Sequence, residues 1–221
     1  MAIATPVVSP HRLAANKFRL RVLGVDPALA GATGYGVVEF EGSHPHLLRF
    51  GALKLPARAT FAARLREIHA LIAQLVQEFA PDAVAVESVF TALNMRTALK
   101  LAEVRGVVLL AAAQAQIPSH SYSPREVKAC VAGYGAASKQ QMQQMVSSLL
   151  GLTSYPEPAD AADALAVALC HAQLSQARDR IAAATGARTV AVVPGGGIRS
   201  VRVARAAQPN RARAAHIQPL R

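Results

Sequence analysis

The segment that decides the fold is Arg21-Val22-Leu23-Gly24-Val25-Asp26, an apolar run that ends in a carboxylate. A run of this length and composition predicts a buried strand. A second apolar run, Ala83-Val84-Ala85-Val86-Glu87, also ends in an acid. Uninterrupted apolar strands are typical of parallel sheets that are covered on both faces. The two segments therefore predict a buried sheet whose carboxyl edge carries two acids.

Short elements surround these two strands in the sequence. Three further strands are predicted over residues 33–40, 46–53 and 118–122, the first two forming a three-strand meander with residues 21–26. Hydrophobic spacing and start signals predict helices over residues 61–79, 96–116, 124–130, 139–150 and 159 to roughly 180. We expect the helix over 96–116, apolar on almost all sides, to lie against the sheet or a partner subunit. This order predicts an α/β fold with a mixed five-stranded sheet and helices on both faces.

The positive charge is concentrated at the two ends of the chain. The formal net charge is +11 over 221 residues. Residues 1–21 hold four Lys or Arg and no acid, and residues 178–221 hold nine Arg and one Asp. We therefore divide the chain into a basic extension (1–20), a globular domain (21–177) and a basic tail (178–221). Such arms either bind nucleic acid non-specifically or are solvated tails.

Cysteine usage and hydropathy predict a cytoplasmic protein without a membrane segment. Cys130 and Cys170 lie far apart in the sequence among apolar neighbours, so they form neither a disulfide framework nor a metal knuckle. Pro6 and Pro10 interrupt the N-terminus, which argues against a signal peptide. The longest apolar stretch, residues 107–113, is too short to span a membrane.

Two of the acids follow strands, and each has an ordinary alternative explanation. Asp26 precedes a loop and could serve only as a turn residue. Glu87 directly follows Val84-Ala85-Val86, where a carboxylate suffers a large desolvation cost unless it is paired or bound to a metal. Its alternative is a glutamate that reaches solvent from the strand end.

Two more acids, Asp160 and Asp163, open the last predicted helix and are spaced so that both face one side of it. Capping of the helix start would by itself explain the pair. The combination with Asp26 and Glu87 favours a different interpretation, because all four carboxylates can converge at the carboxyl edge of the sheet. Carboxylate oxygens suit hard cations, and two such ions about 4 Å apart support phosphodiester hydrolysis.

A set of motifs, read in order along residues 20–175, closely resembles the RuvC family of bacterial Holliday-junction resolvases, which has the RNase H-like fold. The motifs are Gly24-Val25-Asp26-Pro27, Thr33-Gly34-Tyr35-Gly36-Val37, Glu87-Ser88-Val89-Phe90, Ala98-Leu99-Lys100-Leu101 with Arg105-Gly106, Val131-Ala132-Gly133-Tyr134-Gly135 and Asp160-Ala161-Ala162-Asp163-Ala164-Leu165.

The resemblance implies a homodimer that binds four-way junction DNA and nicks two symmetry-related strands. It implies hydrolysis that depends on Mg²⁺, with two ions in each active site and Mn²⁺ as a substitute, leaving 5′-phosphate ends. It also implies work alongside the RuvA–RuvB branch-migration complex in recombination and repair.

Positions carried over from the family fall into acids, an aromatic residue and cations. The acids implied to bind metal and act in catalysis are Asp26, Glu87, Asp160 and Asp163. The resemblance implies that Phe90 stacks on or wedges between bases at the crossover; without it, Phe90 would equally fit a core aromatic residue. Lys128 and Lys139 match family lysines near the scissile phosphate, where a cation stabilises developing negative charge.

The chain departs from the family pattern at two places. The loop after Asp26 is one residue longer, has Ala28 where the family has glycine, and lacks the basic residue that usually follows. Leu93 stands where a basic residue is common after the aromatic, and we expect Arg96, one helical turn on, to replace it in DNA binding.

Three functions other than junction resolution fit parts of this sequence. An RNase H-like nuclease for another structured nucleic acid is the nearest alternative, because one fold hosts several chemistries. A sugar-kinase or actin-like ATPase would need a second phosphate loop and a far longer chain. A non-catalytic DNA-binding protein with this fold predicts loss of acids, and all four are present.

Overall fold

Five strands form one mixed sheet in the computed structural model, which describes residues 19–28, 31–88 and 94–185. The strands are β1 (Arg19–Asp26), β2 (Thr33–Glu41), β3 (His44–Leu53), β4 (Ala83–Glu87) and β5 (Ser119–Tyr122), in the spatial order β3-β2-β1-β4-β5. The first three are antiparallel, whereas β4 runs parallel to β1 and β5 runs parallel to β4. The predicted meander, the buried parallel strand and the mixed sheet are therefore confirmed.

Helices cover both faces of the sheet, as the sequence predicted. They are α1 (Phe61–Phe79), α2 (Met95–Gln114), α3 (Pro124–Ala132), α4 (Lys139–Leu149) and α5 (Ala159–Thr185). One apolar cluster joins α1 and α2 to one face, and a second joins α3, α4 and α5 to the other. No helix within the described part of the chain is both long and apolar enough to cross a membrane.

The last helix is longer than predicted. It continues to Thr185, so residues 178–185 of the predicted tail are helical. Alanine-rich sequence favours helix, and Gly186 is the first strong helix breaker in this region. The basic extension up to residue 18 and the tail from residue 186 lie outside the described residues.

Helix α2 buries one face and exposes the other. Val104, Val108, Ala111 and Ala112 pack in the core. Leu99 and Leu110 are 58% and 52% exposed. The sequence correctly placed this helix against the sheet, but only its inner face is buried there.

Arg21 connects β1, β2 and α1 through hydrogen bonds at the end of the sheet opposite the acids. Its guanidinium donates to Glu39, its cross-strand neighbour on β2, at 2.9 Å from Nε and 2.6 Å from Nη2, and it also donates to the carbonyl of Phe79 at the end of α1. Arg19 lies 2.6 Å from the same carboxylate oxygen. Burial by itself would raise the pKa of Glu39, but the hydrogen bonds from the two arginines outweigh it and hold that pKa below its usual value.

Replacing Glu39 with Gln should therefore destabilise the protein in a pH-dependent way. A depressed carboxyl pKa contributes stability above the pKa of the unfolded chain, and this contribution is lost as pH falls through the folded pKa. Urea unfolding should show Glu39→Gln less stable than the parent by about 1–3 kcal/mol at pH 7, with a smaller gap near pH 3.

A matched control is Glu41→Gln, which changes an exposed carboxyl at the end of the same strand. It should shift the free energy of unfolding by less than about 0.5 kcal/mol. A gap between parent and Glu39→Gln that stays constant with pH would contradict this account.

Candidate active site

The ends of β1 and β4 place two carboxyl groups side by side. The strands are parallel and Val25 pairs with Val86, so the next residues, Asp26 and Glu87, lie at the same edge. Side chains alternate between the faces of a strand. Asp26 lies four residues after Val22 and Glu87 lies two residues after Ala85, so each acid points to the same face as that apolar residue. Both apolar residues belong to the cluster on the α5 face. Both acids therefore lie on the α5 side of the sheet.

Glycines bring α5 close enough to add two more carboxyl groups. A Cβ atom on Gly34 of β2 would lie 1.9 Å from the backbone oxygen of Asp160, and one on Gly24 would lie 2.1 Å from the backbone oxygen of Ala164. Real side chains do not tolerate such distances, so the helix backbone rests directly on the strand backbones. This contact sets the first turn of α5, with Asp160 and Asp163, beside Asp26.

The electrostatics of the site are those of crowded carboxylates. Burial, followed by repulsion from Glu87 and Asp163, raises the pKa of Asp26 to about 8. Burial also raises the pKa of Glu87. The two carboxyl groups interact directly, so ionising one of them disfavours ionising the other. The site thus favours a positive charge among its acids.

Two lysines supply part of that charge. Lys139, the first residue of α4, places Nζ 3.1 Å from Oδ2 of Asp163, and this hydrogen bond raises the pKa of Lys139. Lys128 on α3 acts on Glu87 through its charge and favours the ionised carboxylate. Helices α3 and α4 begin with capping boxes at Ser123 and Ser138, which confirms the predicted cap of α4. The caps fix the first residue of each helix and so the backbone positions of the two lysines.

The donor set fits a hard divalent cation. Among residues 19–28, 31–88 and 94–185, no three His, Cys, Asp or Glu side chains already form an arrangement that holds a metal ion. The four converging side chains nevertheless offer only carboxylate oxygens, the ligands that Mg²⁺ prefers. A cation would offset the repulsion among these carboxylates that raises the Asp26 pKa.

The structure thus brings together six of the eight residues singled out in the sequence, namely Asp26, Glu87, Asp160, Asp163, Lys128 and Lys139. Arg96 is exposed in the first turn of α2, and the described hydrogen bonds and ion pairs do not connect it to the acids. Phe90 lies outside the described residues.

The glycines of β1 and β2 belong to the site, although they are not among the site residues predicted from the sequence. Gly24 and Gly34 carry no chemistry, yet they decide how near α5 comes to Asp26. A signal was available, because glycine inside a strand often marks the close approach of another backbone. What the sequence could not give was the identity of the approaching element.

The family model for crossover junction endodeoxyribonuclease RuvC matches residues 22–171. The chain belongs to the RuvC family. A RuvC from Chloroflexus aurantiacus is 48% identical over 153 residues, which is 69% of this chain and 93% of the relative. A RuvC from Thermomicrobium roseum is 48% identical over 159 residues, covering 72% of this chain and 96% of the relative.

Solved structures agree with the RuvC assignment. Thermus thermophilus RuvC in complex with a Holliday junction substrate has a TM-score of 0.68 at 36% identity, covering 72% of this chain and 96% of that one. The yeast mitochondrial Holliday junction resolvase Ydc2 has a TM-score of 0.51 at 16% identity, covering 73% and 84%, and so shares the fold. The predicted RNase H-like fold is confirmed, and RuvC nucleases are metal-dependent enzymes.

Replacing Gly34 with Ala should disable the site while leaving the remainder of the sheet intact. The new methyl group would push the Asp160 backbone away from β2 and separate Asp160 and Asp163 from Asp26. We expect the nuclease rate to fall by about 100-fold or more, since displacements near 1 Å have this effect on positioned groups. The measurement is cleavage of a labelled four-way junction at saturating enzyme.

The matched control is Gly31→Ala in the preceding loop. A Cβ atom at Gly31 would make only ordinary contacts, at 3.8 Å from the Ala28 Cβ and 3.9 Å from Oδ1 of Asp160. This variant should cleave within a few fold of the parent. Equal activity of the two variants would show that the backbone contact at Gly34 does not position the acids.

Proposed function

We propose that this protein is a Holliday-junction resolvase, an endodeoxyribonuclease that acts in recombination and repair. The observation that carries the proposal is the convergence of Asp26, Glu87, Asp160 and Asp163, with Lys139 bound to one of them, in a chain of the RuvC family. The related Thermus thermophilus protein was solved with a Holliday junction substrate, which supports the same substrate here. A nuclease for another structured nucleic acid is not favoured by these relationships.

The four acids hold Mg²⁺ in this proposal, two ions in each site, with Mn²⁺ able to replace them. Such ions supply an activated water and stabilise the leaving oxygen of the phosphodiester. Glu87 and Asp26 present oxygens from the rigid ends of two neighbouring strands, and Asp160 and Asp163 present theirs from the first turn of α5. The products carry 5′-phosphate ends.

The lysines act on the phosphate. Asp163 keeps the Lys139 ammonium charged and directs it toward the acids, since the hydrogen bond between them measures 3.1 Å. A fixed cation at this position stabilises negative charge that develops on the scissile phosphate. Lys128 has the same role from α3. Arg96 and Phe90 contact the DNA away from the reacting atoms, Phe90 by stacking on bases at the crossover.

The protein works as a homodimer, with the outer stripe of α2 as the interface. Met95, Leu99 and Leu110 are 74%, 58% and 52% exposed and follow one another on one face of the helix. Gly106 lies in the same stripe, and a Cβ atom there would meet nothing within 4 Å, so a second helix has room to approach. A dimer matches a junction whose two cut strands are related by symmetry.

The protein acts with the RuvA–RuvB branch-migration complex, in the cytoplasm. The basic residues of segments 1–20 and 186–221 add non-specific attraction to DNA, which is supported by ten Lys or Arg without an acid in those two segments.

The cleavage test uses a labelled four-way junction and a linear duplex of the same sequence. We expect paired symmetric nicks on the junction alone, with Mg²⁺ required and EDTA inhibitory. Glu87→Gln should lower the rate by about 100-fold or more, because one oxygen ligand and its charge are lost.

Glu78→Gln changes an exposed carboxyl on α1 and should cleave at the parental rate. Equal cutting of junction and duplex would refute junction specificity. Parental activity of Glu87→Gln would refute the assignment of the active site.

The dimer test is Leu110→Glu, measured by sedimentation at micromolar concentration. A charge buried in an apolar interface is costly, so we expect the parent to be dimeric and the variant monomeric, with single nicks replacing paired ones. Ile181→Glu is the matched control, since Ile181 is 63% exposed on α5, outside the stripe, and should stay dimeric. A monomeric parent, or a dimeric Leu110→Glu variant, would contradict the proposed interface.

A further inference from the structure

The loop between α3 and α4, residues 133–138, lies at the carboxyl edge of the sheet beside the acids. Helix α3 starts directly after β5, whose last residue, Tyr122, pairs with Glu87. The loop then folds back along α3, because a Cβ atom on Gly135 would lie 2.6 Å from Cγ of Arg125 in the first turn of that helix. The residue that follows the loop is Lys139, which reaches Asp163. The starts of α3 and α4, between which the loop lies, are therefore both next to the active site.

One aromatic side chain projects from this loop. Tyr134 follows Gly133, whose φ of +84° suits glycine, and 47% of its surface is exposed. Its hydroxyl donates to Oε1 of Gln141 at 2.6 Å. The same oxygen accepts the backbone N–H of Ser138 at 2.8 Å, as part of the capping box of α4. The ring is thus held by its hydroxyl while half of it faces solvent.

The charges around this ring favour a nucleic-acid strand as its partner. Arg125 packs against the loop, and Lys128 and Lys139 lie on the helices that flank it. A fixed aromatic ring among cations is the arrangement by which proteins hold unpaired nucleotides, since the ring stacks on a base while the cations bind phosphates. Stacking is tolerant of sequence, because every base has a π-face.

We propose that Tyr134 is a positioning residue that stacks on a nucleotide of the cleaved strand, close to the phosphate bound by Lys139. The inference rests on the proposed resolvase function and adds a DNA contact outside the residues predicted from the sequence. The Tyr134 hydroxyl orients the ring through Gln141, and the ring face makes the contact with the nucleotide.

A purely structural role for Tyr134 makes a different prediction, which Phe and Leu substitutions separate. Tyr134→Phe removes the hydrogen bond to Gln141 but keeps the ring. Tyr134→Leu removes both the hydrogen bond and the aromatic face while keeping an apolar side chain. If stacking matters, Phe should be tolerated and Leu should not. If only the tie to the α4 cap matters, both substitutions should have the same effect.

The experiment measures junction affinity in the Glu87→Gln background, where binding is separated from cleavage. Tyr134→Phe should bind a four-way junction within about 2-fold of the Glu87→Gln parent. Tyr134→Leu should bind about 5- to 150-fold more weakly, the range expected from losing one base–aromatic stack. Tyr155→Leu is the matched control: Tyr155 is also 47% exposed, but it follows the far end of α4, so its loss should leave affinity unchanged.

A second readout locates the contact. Junctions with 5-iodouracil next to the scissile phosphate should cross-link through Tyr134 under ultraviolet light, and Tyr134→Leu should remove that cross-link. Equal affinities of the Leu variant and the parent, equal losses for Phe and Leu, or a cross-link elsewhere only would each overturn the inference. If the parent shows no preference for the junction over duplex, the proposed function itself fails, which is a distinct result.

Discussion

The direct contact between helix α5 and the backbones of β1 and β2 is the constraint on which the active site depends. Gly24 and Gly34 have no side chains at the points where the helix backbone would meet a Cβ atom at about 2 Å. This contact buries the N-terminal half of α5 almost completely, from Ala161 to Ala172. It also fixes the distance between the acids of α5 and the acids at the strand ends. The same close contact of α5 with β1 and β2 therefore sets both the packing of the core and the spacing of the acids.

The cost of this geometry is electrostatic. Four carboxyl groups share one edge of the sheet, and the raised pKa of Asp26, about 8, records how unfavourable its ionised form is in the absence of a cation. Lys139 offsets part of the repulsion through Asp163. Ion pairing at the opposite end of β1, where Arg19 and Arg21 hold Glu39, stabilises the strand that carries Asp26. Charge repulsion at the active-site end of the sheet is thus accompanied by favourable ion pairs at its other end.

The two faces of the sheet have different tasks. On one face α5 carries Asp160 and Asp163, and α3 and α4 carry the two lysines of the site. Capping boxes at Ser123 and Ser138 set where α3 and α4 begin. On the other face α1 and α2 close the core, and α2 keeps a second apolar stripe that the rest of the described chain does not cover. The apolar character of α2 therefore serves the core on one side and, in our proposal, a second subunit on the other.

The sequence by itself determined the order and type of all ten described elements, because apolar spacing and helix caps are local signals; α1 and β4 were predicted to the residue. It also identified the four acids, since a glutamate at the end of Ala83-Val84-Ala85-Val86 has few inexpensive explanations. Only the tertiary structure decided that β4 lies beside β1 and that the glycines let α5 contact the strand backbones. It also decided that Lys139 and Tyr134 lie together at the start of α4. These facts depend on contacts between residues distant in the chain, and local pattern carries no information about which distant backbone approaches a glycine.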